Sequence, residues 1–431
     1  MILKIKTRND NLGDIILKNP ESNNGTYSLT NKNGVLFGHY VGKNEYHMIF
    51  QDHKYSYARD ESNQLDYMSY CSPNVVLDML SSSAFRHMLL DVNEYANYEV
   101  KHLEKRMAEI DNKPTQISFQ CFIDSSWIDK NGDGIFKKYF KDKVEIQREV
   151  GFIYNVTVKG VSAFEAFNLC AVIAMFCAVV NPQHWHITDP LIEKYIRIFN
   201  NIDVPYFIIY LFKVRLLHEG NFEKHKEALE SALWSNDLKL TYGNTHKQRM
   251  LFIKEHIDLS GDILDYGCGE GQYLKMLGKQ MNKGQQYFAY DIENVGGKIN
   301  HLAKYVEPKV YFSQVLSKLK DNMNKPLSVI ISEVIEHNEL DVAEILIKRV
   351  MREIDYKQII ITTVNRDFNQ FYAMDKEMRH EDHVFEMSQN EFIEFMRPII
   401  ESQESVKYSY IQIGDCIDGI YPTQGYIIEK I

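Results

Sequence analysis

Ile263-Leu264-Asp265-Tyr266-Gly267-Cys268-Gly269-Glu270-Gly271 leads directly into Gln272-Tyr-Leu-Lys-Met-Leu277. An apolar strand, a turn with glycine at every second position and a helix-forming run make the opening of a βαβ unit. The glycines let the backbone turn tightly and approach a ligand without a Cβ in the way. Such a loop feeds a helix N-terminus, whose free N–H groups favour anionic groups. Gln286-Tyr-Phe-Ala-Tyr-Asp291 then reads as a second strand ending in an acid. An acid there can accept both hydroxyls of a ribose. Asp265, Gly267, Cys268, Gly269, Gly271 and Asp291 are therefore the expected cofactor-binding residues. Spacing alone also admits a dinucleotide. The Asp ahead of the first glycine and the single short nucleotide unit favour S-adenosylmethionine.

Working outward, the alternation continues. A helix is expected over His246–Ile257 before the first strand, then Gln272–Met281 after it. Strand Leu327–Ser332, helix Asp341–Ile354 and strand Gln358–Thr363 follow, then a helix opened by the capping box Ser388-x-x-Glu391. Strands Ser405–Ile413 and Gly425–Ile431 close the chain. This order predicts an α/β domain, a mainly parallel sheet with helices on both faces and one antiparallel strand at the end. Upstream the grammar differs. Residues 1 to about 160 are rich in strands and hairpins, with a helix start at Ser72-Pro73, an exposed helix over Glu94–Ile110 and a strand over Gln116–Ile123. Residues 160–217 read as buried helices. The polar run from 218 breaks at Tyr242-Gly243-Asn244, which divides an α+β region, 1–240, with a second split near 160, from a domain at 245–431.

The chain has 431 residues, 45% hydrophobic and 25% charged, with net charge -10. Two or three domains are expected. An acidic molecule is not a whole-body nucleic-acid binder, so any such contact must be local. Cysteines at 71, 121, 170, 177, 268 and 416 form no C-x-x-C pair and read as reduced thiols of a cytoplasmic protein. The longest apolar run, Leu169–Val180, is 12 residues, short of the ~20 that a membrane span requires. With Ser162 and Glu165 as a capping box it predicts a buried helix, and no membrane segment is expected.

A second cluster of chemistry follows. Glu333-Val-Ile-Glu336-His337 lies just past a strand end, on the sheet edge where open α/β sheets bind ligands. His380 and His383 lie in the long connection from Asn365 to Met387, and long connections in compact domains are usually functional. Two carboxylates and two imidazoles suit Mn, Fe, Co or Zn, and Mg less tightly. The plain alternative is a helix start with solvated acids and two surface histidines. Asp129-Lys-Asn131-Gly-Asp133-Gly134 matches the opening of an EF-hand loop, but Phe140 stands where the bidentate Glu belongs. A turn between strands is expected there.

Glu333-Val-Ile-Glu336-His337, Ile361-Thr-Thr-Val-Asn365 and Arg379-His380-x-Asp382-His383-x-Phe385-Glu386 together resemble the metal-dependent 3'-terminal RNA ribose 2'-O-methyltransferases. Those enzymes act on small silencing RNAs in eukaryotes and on repaired RNA in bacteria. Gly419-Ile-Tyr-Pro422-Thr423-Gln424 and Asn11-Leu-Gly13-Asp14-Ile-Ile-Leu-Lys-Asn-Pro20 resemble the bacterial, RNA-repair branch. The resemblance is strong over 245–431 and loose over 1–240. It implies a class I S-adenosylmethionine methyltransferase fold, Rossmann-like, behind an α+β N-terminal domain. It also implies a divalent ion (Mn or Mg, with Co a further candidate) on Glu333, Glu336, His337 and His383. His337 or His380 would be the catalytic base, and the substrate an RNA 3' end. The N-terminal half would dock polynucleotide kinase-phosphatase and RNA ligase repair proteins in a hetero-oligomeric complex. Two positions depart from the family: Val364 replaces a usual Pro, and Met387 a usual Trp that could stack on a base. Two other readings stay open. One is a methyltransferase for a small hydroxyl substrate. The other is a non-catalytic scaffold, against which the intact D-x-G-x-G-x-G and E-x-x-E-H speak.

Overall fold

The computed structural model describes residues 2–30, 34–52, 71–81, 84–123, 136, 139–180, 187–234, 236–372, 374 and 377–431. The EF-hand-like segment at 129–134 lies outside them. The chain forms two compact units, 1–236 and 237–431.

The first unit is built on seven strands: β1 (Ile2–Thr7), β2 (Tyr27–Thr30), β3 (Gly34–Gly42), β4 (Glu45–Asp52), β5 (Thr115–Phe122), β6 (Val144–Val150) and β7 (Ile153–Gly160). They pair antiparallel in the order β2-β3-β4-β1-β5-β7-β6. Alternating burial along β1 puts Leu3 and Ile5 on the covered face. Helix Ala163–Val180 packs on β5 and β7, so the unit is not divided near 160. By length and composition this helix could cross a membrane, yet 89% of it is buried inside the protein. Its first turn is capped from a distance. Asp111 accepts from the N–H groups of Ala163 and Phe164, each at 2.8 Å, and from the Tyr95 hydroxyl at 2.7 Å. Ser162 Oγ accepts from Glu165 N as expected, but the Glu165 carboxylate reaches back to Val161 N, one residue further. Glu94–Ile110 is not one helix. It breaks into Val92–Ala96, the tiny hairpin Glu99–Val100 with Lys105–Arg106, and Met107–Ile110. Glu104, left-handed at φ 50°, interrupts the helical run of charged residues.

The second unit holds β8 (Asp262–Tyr266), β9 (Gln286–Tyr290), β10 (Lys309–Ser313), β11 (Leu327–Ser332), β12 (Tyr356–Val364), β13 (Val406–Ile413) and β14 (Thr423–Lys430). Their order is β10-β9-β8-β11-β12-β14-β13. The first five are parallel, and β14 runs antiparallel between β12 and β13. This is the class I methyltransferase arrangement, with the antiparallel strand inserted last. Successive residues face opposite ways, so two cores form. Leu264, Val329, Ile331, Ile359 and Ile361 meet helices Leu340–Glu353 and Gln389–Glu401 on one face. Ile263, Tyr287, Ile330 and Ile360 meet helices Thr245–His256 and Gln272–Leu277 on the other. Ser388 and Glu391 form the expected reciprocal cap. The pair Leu238–Lys239 joins Cys416–Ile417 in a small antiparallel ladder, which places residues 237–240 with this unit. All six cysteines are buried and free.

Candidate cofactor and metal site

The glycine loop sits at the carboxyl end of β8, beside the carboxyl end of β11. Gly267, Gly269 and Gly271 all have positive φ, 80°, 47° and 77°, which only glycine adopts without strain. Space is also tight at two of them. A Cβ on Gly267 would lie 2.5 Å from Val334 Cγ2, and one on Gly271 2.8 Å from Ile299 Cδ1. The helix that follows is short, Gln272–Leu277 rather than the expected Gln272–Met281.

The loop amides do not wait for an anion. Gly267 N and Cys268 N donate to Tyr290 O at 2.8 and 3.0 Å, Gly269 N donates to Asp291 Oδ2 at 2.8 Å, and Gly271 N donates to Cys268 O at 2.9 Å. The expectation of an anion cradle is corrected: β9 and Asp291 brace the loop instead. A dinucleotide pyrophosphate would need those N–H groups, whereas a nucleoside cofactor without phosphates does not. Asp291 Oδ1 also accepts from Glu293 N at 2.9 Å. Each oxygen has taken one bond and keeps acceptor capacity for a hydroxyl. Asp265 lies beneath, wholly buried, accepting from the Tyr287 hydroxyl at 2.7 Å. Burial pushes its carboxyl up to about 7. Cys268 is a packed thiol that burial raises above its usual range.

Glu336, His337 and His383 converge, with one ligand atom from each within 4.8 Å of the others. Their segments are tied together by Val384 N donating to Glu336 O at 2.8 Å. His337 Nδ1–H donates to Asp382 O at 3.1 Å. His383 Nδ1–H donates to Glu386 Oε1 at 2.6 Å. Both rings are thereby oriented with Nε2 left for a ligand, the usual support of a metal-binding imidazole. Glu386 is itself buried. Its Oε1 also accepts from Arg379 N at 2.7 Å and its Oε2 from Asn369 Nδ2 at 2.6 Å. Burial alone would raise its pKa, but the donors of His383, Asn369 and Arg379 outweigh that and hold the carboxyl below its usual range.

Glu336 has no exposed surface; its Oε2 accepts from Thr363 Oγ1 at 3.0 Å, and its Oε1 has no hydrogen-bond partner among the described residues. Burial first, and the neighbouring Glu333 second, push its pKa well up. An orphaned, desolvated carboxylate oxygen beside two free imidazole nitrogens is a set a divalent cation would satisfy. The residues present therefore fit a metal ion.

Glu333 does not join the three. It begins the turn at φ 55°, and its Oε2 lies 3.0 Å from Arg249 Nη1. His380 is at the rim, with a side chain 63% exposed and Nδ1 3.4 Å from Asp382 Oδ2. Met387 is buried in the core, so a larger ring there would pack inward and not stack on a base. Val364 is buried as well.

Several contributing residues have roles that the sequence did not signal, even where they stood inside a quoted motif. Arg249 stands in an ordinary helical run. Thr363 and Asp382 act through a hydroxyl and a carbonyl. The Pro422-Thr423-Gln424 segment, read as a family mark, has a physical task. Arg379 Nη1 donates to Pro422 O at 2.6 Å, and Gln424 Nε2 donates to Val364 O at 3.2 Å and Met387 O at 3.0 Å. The last strand thus clamps the histidine-bearing connection.

The Hen1 N-terminal domain family matches residues 2–233. A chain in the solved Pnkp1/Rnl/Hen1 RNA repair complex is 33% identical, with a TM-score of 0.85, over 100% of both chains. A second structure of the Pnkp1/Rnl/Hen1 complex matches at 34% identity and the same TM-score, again over 100% of both. The small RNA 2'-O-methyltransferase of Caenorhabditis elegans is 27% identical over 169 residues, 39% of this chain. The chain spans about a third of that curated relative, 34% of its length. With its N-terminal domain matched throughout and solved relatives alike from end to end, this chain is a member of the Hen1 family.

Proposed function

We propose that the chain transfers the methyl group of S-adenosylmethionine to the 2'-hydroxyl of the 3'-terminal ribose of RNA, in the cytoplasm, as one component of an RNA repair complex. The similarity to a chain of the Pnkp1/Rnl/Hen1 complex over the full length supports the complex. By the same likeness, the N-terminal unit docks the kinase-phosphatase and ligase partners. The single observation that carries the chemistry is a contact. Gly267 of the cofactor loop packs on Val334, which stands between Glu333 and Glu336. A cofactor on that loop and a cation on those acids would share one pocket.

Asp291 would hold the cofactor ribose through its spare lone pairs. Glu336, His337 and His383 would hold a divalent ion, with Glu333 nearby as a second carboxylate and a fourth candidate ligand. When bound, that ion supplies a Lewis acid that lowers the pKa of a ribose hydroxyl. Asp382 and Glu386 keep the two ligand imidazoles in the tautomer with Nε2 free. His337 is thereby a ligand, which leaves His380 to receive the hydroxyl proton. Its Nε2 is the open atom, since Nδ1 faces Asp382. A site that takes two vicinal hydroxyls selects a free RNA 3' end. DNA lacks one of those oxygens, and an internal ribose has the other esterified.

The test is labelled methyl transfer to a short RNA with a 2',3'-diol end, compared with 2'-deoxy and 3'-phosphate ends, with Mn2+ and after chelation. Transfer confined to the diol end and lost on chelation is expected. Equal transfer to the 3'-phosphate end overturns the substrate reading. Full activity after chelation overturns the metal.

A further inference from the structure

Helix Thr245–His256 brings one guanidinium to the two acids of the metal pocket. Arg249 is buried. Its Nη1 lies 3.0 Å from Glu333 Oε2, and its Nη2 lies 3.3 Å from His246 Nδ1. Its charge also favours the ionised form of Glu336. Arg249 Nε, Glu333 Oε1 and Glu336 Oε1 are all buried without a hydrogen-bond partner among the described residues. A fully buried carboxylate beside a half-buried one needs a counter-charge. Arg249 provides one unit of it. A divalent ion would provide two, but on Glu333 the two cations want the same group. The ion can take Glu333 only if a charge-assisted hydrogen bond is given up, and the guanidinium's own charge repels it across a partly buried site.

We propose that Arg249 is a displaceable counter-ion, a positioning residue that holds Glu333 while no metal is bound and releases it when a divalent ion engages that carboxylate. Arg249 thereby sets the metal affinity of the pocket below what its side-chain ligands alone would give. This rests on the reading that the pocket takes a divalent ion. The guanidinium is not stranded by release, because His246 and the Tyr273 hydroxyl remain beside it. Tyr273 lies on the helix after the cofactor loop, and its hydroxyl is 2.8 Å from Ser332 Oγ. The released guanidinium therefore stays inside the site.

The experiment measures Mn2+ binding to the full chain from the free-ion EPR signal. Arg249→Gln is expected to bind Mn2+ about tenfold more tightly than wild type, the scale of one charge-assisted hydrogen bond no longer given up. Arg249→Lys keeps the charge and stays within about threefold of wild type. On a Glu333→Gln background the gain from Arg249→Gln shrinks to about threefold or less, since only repulsion through space remains. A folded Arg249→Gln protein that binds Mn2+ no more tightly than wild type overturns the proposal. So does a gain that is undiminished beside Glu333→Gln. Should Arg249→Gln not fold, arginine-labelled wild-type protein decides by NMR. One equivalent of Zn2+ should shift the Arg249 Nε–H resonance, and an unmoved resonance at saturation overturns the idea. Wild-type protein that binds no Mn2+, or His383→Ala that binds as well as wild type, brings down the metal reading itself and this proposal with it.

Discussion

Glu386→Gln should weaken metal binding without touching a metal ligand. The Glu386 side chain is fully buried, 0% exposed, and 2.6 Å from His383 Nδ1. It accepts three bonds at once, from His383, Arg379 N and Asn369. Glutamine replaces one carboxylate oxygen by an NH2 group. Facing His383, that group opposes the Nδ1–H and drives the proton to Nε2, the atom a metal needs. Facing Asn369, it opposes an amide that cannot simply turn over. Asn369 Oδ1 is held by Arg379 Nε at 2.6 Å, and its Nδ2 also donates to Glu377 O at 3.1 Å. Either way the charge-assisted bond to His383 is lost, about 1.5–3 kcal/mol. Part of that loss falls on binding. Removing such supports lowers metal affinity about 10–100-fold, or ~1.4–2.7 kcal/mol. Methyl transfer titrated with Mn2+ should show the half-maximal concentration raised by that factor, with kcat recovering to within about threefold of wild type at saturation. A midpoint within twofold of wild type would refute the role of Glu386 in orienting His383.

Two further outcomes follow from the cofactor loop. Gly267→Ala places a Cβ 2.5 Å from Val334 Cγ2 at φ 80°. It should cost about 1–2 kcal/mol for the left-handed backbone and ~1–3 for the overlap. Equilibrium dialysis should show S-adenosylmethionine and Mn2+ binding both weakened, and Val334→Ala in the same chain should restore the overlap part; unaltered Mn2+ binding in Gly267→Ala would separate the two sites. Asp265 carries a second signal, in pH. Its carboxyl titrates near 7 in the folded chain against 3.8 when unfolded. Between those values only the folded state keeps the proton, so stability falls as pH rises from about 4 to 7, by at most ~4 kcal/mol, and the loss is complete above 7. Asp265→Asn should remove this slope and melt higher than wild type at pH 8, and parallel pH profiles for the two proteins would show that Asp265 is ionised throughout.

Local physics made much of the second unit readable in advance. Apolar runs with period two, three glycines on one turn and acids at strand ends are set by sterics within a few residues. Those runs gave the strands at 262–266, 286–290, 327–332 and 356–364, the late antiparallel pair and the Ser388 cap, to within a residue or two. β10, Lys309-Val-Tyr-Phe-Ser313, was not legible. An edge strand is only half-covered, and its mixed residues show no clear alternation. Glu94–Ile110 misled in the opposite sense, since helix-forming side chains do not reveal a left-handed break at Glu104. Glu336, His337 and His383 stood inside short motifs that the sequence singled out, but spacing could not say that these three converge and that Glu333 turns aside. The fold gave Glu333 to Arg249, closed the loop amides on Tyr290 and Asp291, and set Glu386 behind His383. Each of those pairings joins residues on different elements, and short-range periodicity carries no term for them. They exist because strand order and the crossing of the last strand bring separate segments to one sheet edge, where buried charge must find a partner.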